Sequence, residues 1–281
     1  MKPPFQFHAL QSLLLLLILE SLATPVGAQL RGPGHKGVHN QHQEEATRPD
    51  AVERRSGDIS ATGLKAVFPE DQACAPIASP FASPYRYDGS SRRDDRFGGL
   101  HGGLDITLKE GTPLLAVAGA TVIAKGQGGQ LEGIFLWLMH EPADTGLPFW
   151  IFTKYQHLAD LPAFNEGDRV RVGQVIASSG KTGTIGGHYG AAGYPHLHLS
   201  LTAGPTNDYQ KAGAFGSMIK ARDAVLSDPL ILYLSGLDHP TSVAALPVNQ
   251  KSVRIPVVGA DGIILPVGSK VAWPVACRPL R

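Results

Sequence analysis

The stretch GAAGYPHLHLSL, Gly190 to Leu201, decides how the rest of the chain reads. Two histidines, His196 and His198, flank Leu197 in a run that alternates polar and apolar residues. Side chains two apart share one face of a strand but point nearly opposite ways on a helix. The two imidazoles therefore converge only if this run is extended, with Leu197 and Leu199 turned into the core. Gly193 and Pro195 suit a loop feeding that strand.

Upstream, HGGLD spans His101 to Asp105. Histidine and aspartate are both good zinc ligands. Two adjacent glycines argue against a helix interior, and in an extended chain the even separation puts both side chains on one face. The glycines also allow backbone or substrate to come close. A third cluster, KYQHL, ends the aromatic run FWIFTKY, and two-residue spacing places Tyr155 and His157 on one strand face. A catalytic zinc takes three protein ligands and keeps a fourth position open. Four histidines and one aspartate compete for those three places; the HGGLD pair plus one histidine of HLH fills them. The surplus imidazoles are left to orient water or move protons, beside a metal that makes water acidic near neutral pH.

These three motifs, in this order, resemble the lysostaphin/LytM-type zinc metallopeptidases. The framing is similar too: GTPLLAVAGATVIAKG follows the first motif, GDRVRVGQVIASSGKTG precedes the third, and DPLILYL follows it. The resemblance covers roughly residues 97–234. It implies a mainly β domain, an antiparallel sheet with a groove over it. It makes His101, Asp105 and His198 the Zn2+ ligands, with His157 and His196 the catalytic pair. The implied reaction is hydrolysis of peptide bonds in peptidoglycan cross-links, with a peptidoglycan peptide as substrate. Two features depart from the family pattern. The loop carrying His188 and Tyr189 is a few residues longer than usual, and LSL follows HLH where relatives often carry an acid. No wall-binding module of LysM or SH3 type is apparent. The alternatives are a catalytically silent cell-wall or division regulator on the same fold, which would lack ligands, and a secreted peptidase for non-wall protein.

The N-terminus reads as a secretory signal peptide. Lys2 precedes a short apolar core, Leu13 to Leu19, and TPVGAQ offers cleavage after Ala28. The apolar core is too short for a membrane span, so the mature chain is expected without one and exported, to the periplasm or to the cell exterior and wall. In an oxidising compartment Cys74 and Cys277 would be able to pair; two separate buried thiols is the other reading. Residues 29–72 are polar and aperiodic and read as a flexible spacer, with the histidines at 35, 39 and 42 expected in solvent rather than on a metal. Residues 73–234 are expected to form the peptidase domain, and 235–281 an extension of short strands.

Composition supports a globular β domain. Hydrophobic residues make up 43% of the 281 and charged ones 17%, with 33 glycines and 22 prolines favouring short strands and many turns. Formal net charge is +1, so charge alone points to neither nucleic acid nor an anionic membrane. Residues 207–226 have room for a short helix. His140, at a strand end, is expected to face solvent. Glu132 and Glu166 sit beside glycines in turns, without an evident role as base.

Overall fold

The computed structural model describes residues 59–92, 96–129, 131–184 and 193–280. The expected signal peptide, most of the expected spacer, and His188 and Tyr189 lie outside the described residues. At the centre is an eight-stranded sheet. Its strands are β1 (Ile77–Ser79), β2 (Leu104–Thr107), β3 (Ala120–Gln127), β4 (Ile134–His140), β5 (Trp150–Leu158), β6 (Arg169–Val170), β7 (His196–Gly204) and β8 (Val225–Ser227). They run in the order β1-β2-β7-β5-β4-β3-β6, with β8 also on β7, and every neighbouring pair is antiparallel.

The long central strands are the chain's aromatic and branched runs, IFLWLMH and WIFTKYQHL, the residue types that fit a pleated surface. Both of their faces are covered. One face buries Leu136, Leu138, Ile151 and Tyr155 with Leu197, Leu199 and Leu201 in the main core. The other buries Phe135, Trp137 and Phe152, under Tyr209 and Ile219. Leu197 and Leu199 thus turn to the core, as the alternation predicts.

The stretch 207–226, which has room for a short helix, does not form an α-helix. It forms an antiparallel hairpin of Tyr209–Ala212 and Met218–Ala221 around a three-residue 3-10 turn, followed by β8. Gly213 and Gly216 adopt φ of 73° and 72°, a left-handed backbone incompatible with a helix. The hairpin lies over the second apolar face, where the Trp137 indole N–H donates to the Ser217 carbonyl.

The fold begins before residue 73. Lys65–Val67 pairs in parallel with Ser252–Arg254, and Leu64, Ala66 and Phe68 pack on the core. The period-free composition of the spacer hid this short strand, because three residues are too few to show a pattern. The C-terminal extension is equally embedded: Trp273 is fully buried, edge-on to Phe68 at 5.1 Å. Gln72–Ala73 pairs with Arg278–Pro279, next to a disulfide between Cys74 and Cys277. No helix among the described residues is long and apolar enough to cross a membrane.

His140 is completely buried, against expectation. Its Nδ1–H donates to the Gly119 carbonyl at 2.8 Å, and Nε2 accepts from the Thr153 hydroxyl at 2.8 Å. Both nitrogens are satisfied in the neutral ring, and burial, which disfavours the charged ring, holds its pKa down to about 4. The unfolded value is about 6.5, so the neutral ring favours the fold fully above that pH. The contribution is lost as pH falls from about 6.5 to about 4, roughly 3 kcal/mol in all. Urea midpoints measured from pH 7.5 to 4.5 should fall, and His140→Gln should flatten that slope; an unchanged slope contradicts the assignment. The disulfide closes a separation of 203 residues, for which loop entropy sets an upper value of about 5 kcal/mol. Cys74→Ser with Cys277→Ser should therefore lose about 2–5 kcal/mol in chemical unfolding; an unshifted midpoint contradicts a stabilising cross-link.

Candidate metal centre

Strand register builds the site. On β7 the core-facing leucines alternate with His196, His198 and Ser200, which point to the opposite face. Asp105 on β2 lies directly across from His198, and Gln156 on β5 lies across from it on the other side. Directly opposed residues in an antiparallel pair bring their side chains into contact. His198 Nδ1 and Asp105 Oδ1 are 2.8 Å apart.

His101 enters from the loop before β2. Its backbone is paired with the preceding segment, through Ala82 N–H to the His101 carbonyl and His101 N–H to the Ser83 carbonyl. Its Nε2 lies 3.0 Å from His198 Nδ1 and 3.1 Å from Asp105 Oδ1. The glycine of HGGLD beside the strand is required by space. A Cβ on Gly103 would sit 2.5 Å from the Leu199 carbonyl oxygen and 2.8 Å from His198 Nε2.

The three atoms His101 Nε2, Asp105 Oδ1 and His198 Nδ1 therefore form a near-equilateral triangle, with sides of 2.8 to 3.1 Å. Tetrahedral zinc with bonds near 2.05 Å places its ligand atoms about 3.3 Å apart. The donor chemistry fits as well. His101 Nδ1–H donates to the Pro80 carbonyl at 3.0 Å, which leaves Nε2 as a lone pair. His198 Nε2 is 2.9 Å from the Ser200 hydroxyl, which can accept a hydrogen bond from Nε2–H when Nδ1 binds a cation. Two imidazole lone pairs and a carboxylate oxygen aimed at one point repel one another unless a cation lies among them. Outer partners that fix ligand orientation are a regular part of metal sites. Here Arg92 adds one: its guanidinium lies 3.3 Å from Asp105 Oδ2 and 3.2 Å from Ser79 Oγ. It occupies the carboxylate oxygen that does not face the triangle.

His157 reaches the site by a different route. On a regular strand it would share the core face with Tyr155. The β4–β5 register instead slips between Ile134↔Leu158 and Phe135↔Gln156, leaving His157 as an inserted residue with φ of 63°. Such a bulge re-aims one side chain. Gln156 and His157 now share the outer face and Leu158 returns to the core. The His157 ring lies 4.5 Å from His196 and 6.1 Å from His198 between centroids. The expected pairing of Tyr155 with His157 on one face is thereby corrected. Tyr155 is a core residue: its hydroxyl donates to the Leu115 carbonyl and accepts from Val117 N–H.

Both non-triangle imidazoles have defined tautomers. His157 Nδ1–H donates to the Thr182 carbonyl at 2.8 Å, and His196 Nδ1–H to the Tyr194 carbonyl at 3.0 Å. A carbonyl can only accept, so each ring carries its lone pair on Nε2. His196 Nε2 stands 3.7 Å from Asp105 Oδ1, and its ring stacks on Tyr194. Burial, reinforced by the His196 imidazole, pushes the His157 pKa down to about 4. Burial likewise lowers His196, and takes His198 to about 4. For Asp105 burial works upward, but His101 and His198 outweigh it and hold the carboxyl well below its usual range.

All five residues singled out in the sequence lie in this one site. Ser79, Arg92, Thr182 and Ser200 touch the site's residues and were missed by sequence inspection. Ser200 had a signal, being two beyond His198 on the same strand face, at the position where LSL departs from the acid of relatives. Ser79, Arg92 and Thr182 had none. Glu132 has a structural role: its Oε1 meets Lys154 Nζ at 3.2 Å, and Lys154 lies over the Phe135 and Trp137 rings.

Residues 99–210, which contain the whole constellation, match the model for Peptidase family M23. The chain is similar to the Lipoprotein NlpD/LppB homolog of Pseudomonas aeruginosa, 32% identical over 119 residues, or 41% of this chain and 37% of that protein. It is also similar to Peptidoglycan DD-endopeptidase ShyC of Vibrio cholerae, 34% identical over 101 residues, or 36% and 20%. The chain thus spans well under half the length of the curated relatives it matches. Among solved structures, LytU aligns at 23% identity and a TM-score of 0.39, covering 61% of this chain and 92% of that one. The catalytic domain of lysostaphin from Staphylococcus simulans aligns at 22% and 0.36, covering 52% and 88%. The family match and the His-Asp-His geometry agree: the residues that match Peptidase family M23 carry the ligand triangle on an antiparallel sheet of the lysostaphin/LytM type.

Proposed function

We propose that this protein is an exported zinc endopeptidase that hydrolyses peptide bonds in peptidoglycan cross-links. One observation carries the proposal: a complete ligand triangle stands beside two further imidazoles whose Nε2 atoms are both unprotonated. His101, Asp105 and His198 hold the metal. When bound, zinc supplies Lewis acidity, polarising a carbonyl oxygen and making water acidic near neutral pH.

The protein's own groups handle the protons. His157 and His196 are neutral at neutral pH because burial disfavours their charged forms. A neutral imidazole with Nε2 free accepts a proton from the attacking water. Once protonated, the same nitrogen becomes a donor, able to steady the oxyanion or to protonate the departing amine. Backbone carbonyls at Thr182 and Tyr194 hold the two rings in the tautomer this requires. Among the described residues of the site none is a glutamate in the role of base; Glu132 is committed to Lys154.

The substrate class is supported by the described activity of ShyC as a peptidoglycan DD-endopeptidase. Export is supported by the signal-like N-terminus and by the Cys74–Cys277 disulfide, which suits an oxidising compartment. A catalytically silent regulator on the same fold is disfavoured because every ligand position is filled.

The mature protein, loaded with zinc and incubated with purified sacculi, should release new amino termini detectable by mass analysis of the fragments. Their absence from zinc-loaded protein on any wall preparation overturns the proposal. His198→Ala should lose both the bound zinc, read by elemental analysis, and activity. His157→Ala should keep about one zinc per chain and lose about 10²–10⁴-fold in kcat. Full turnover in His157→Ala removes that residue from the chemistry.

A further inference from the structure

Something must hold the bulge that turns His157 outward. A left-handed backbone is unfavourable for a non-glycine residue, and at His157 it interrupts the β4–β5 ladder. The register partners flanking the gap are Ile134 and Leu158. They are bridged by a side chain from a third segment: Ile134 N–H donates to the Thr182 hydroxyl at 2.9 Å, and that hydroxyl donates to the Leu158 carbonyl at 2.7 Å. One oxygen thus completes the ladder that the inserted residue opened. The carbonyl of the same Thr182 accepts from His157 Nδ1–H at 2.8 Å.

The segment carrying Thr182 is fixed from both sides. Ala159 N–H donates to the Ser178 carbonyl, and His196 N–H donates to the Gly180 carbonyl, so the segment ties the end of β5 to the start of β7. The contact with β4 is backbone on backbone. A Cβ on Gly133 would lie 2.0 Å from the Thr182 carbonyl oxygen, and one on Gly183 would lie 2.2 Å from Gly133 N. Only glycines permit this approach.

We infer that Thr182 is the positioning residue for His157: its hydroxyl closes the bulge that aims the ring, and its carbonyl fixes which nitrogen carries the proton. The inference deepens the endopeptidase proposal and rests on it for the catalytic consequence. The structural part stands apart from that proposal. Serine can make both hydroxyl contacts, whereas valine matches threonine in shape but makes neither, leaving the Ile134 N–H and the Leu158 carbonyl unpaired.

The test uses the zinc-loaded mature protein with labelled histidine, the His157 ring signals being identified by their disappearance in His157→Ala. In wild type, nitrogen shifts should show Nδ1 protonated and Nε2 bare. In Thr182→Val the fixed tautomer should give way to an averaged pair of shifts. Zinc content should stay at about one per chain, and kcat on wall fragments should fall about 10–100-fold with KM within about threefold, the range seen for groups that orient metal-site residues. Thr182→Ser should restore both the tautomer and kcat. Wild-type ring shifts with wild-type kcat in Thr182→Val overturn the inference, as does a Thr182→Ser protein that has lost the fixed tautomer. The serine protein decides the matter even if the valine protein does not fold. Undiminished turnover in His157→Ala would defeat the catalytic reading instead, and the ring shifts would still report on the clasp.

Discussion

Asp105 stands opposite His198 because β2 and β7 pair in one antiparallel register, and the whole site depends on that pairing. Shifting it by one residue would turn every outward side chain of β7 into the core and every leucine outward. The leucines prevent the shift: Leu197, Leu199 and Leu201 are buried with Leu104 and Ile106 of the facing strand. Hydrophobic burial, worth about 1.5–3 kcal/mol per large side chain, therefore sets the distance between a carboxylate and an imidazole. The core fixes the metal-ligand geometry without any ligand having to contribute to folding. This is how a buried, mutually repelling cluster is tolerated in a marginally stable chain.

The rest of the fold serves that register. The central strands are covered on both faces, and the hairpin 209–221 closes the second apolar face so that neither is left open. The two ends of the described chain are stitched together by a parallel strand pair, an antiparallel pair and a disulfide. The C-terminal segment is consequently part of the domain's core, with Trp273 and Cys277 fully buried in it.

What could be read from the sequence was what is local. HLH announced itself through a period of two, and HGGLD through two ligand types held apart by glycines, one of which the packing now explains. The strand runs were legible because aromatic and branched residues cluster in them. What stayed hidden depends on distant partners. Tyr155 and His157 obey the period of two on paper, and only the bulge separates them. Nothing local to KYQHL signals that bulge, since it is completed by Thr182, well downstream. His140 looked like a strand-end residue in water until Gly119 and Thr153 closed around it. The glycines at 213 and 216 were visible, and their backbone demands argue against the short helix for which 207–226 has room. Arg92 reaches Asp105, and Ser79 reaches His101 and Arg92, from a stretch with no recognisable motif.

The most direct test of the central claim is the structure of the zinc-loaded protein with anomalous scattering at the zinc edge, which locates the metal and its ligand atoms. The account predicts one zinc within about 2.0–2.2 Å of His101 Nε2, Asp105 Oδ1 and His198 Nδ1, with His157 and His196 beside it and unligated. Zinc bound at another place, or coordinated by His157 or His196 in place of one of the three, would contradict it.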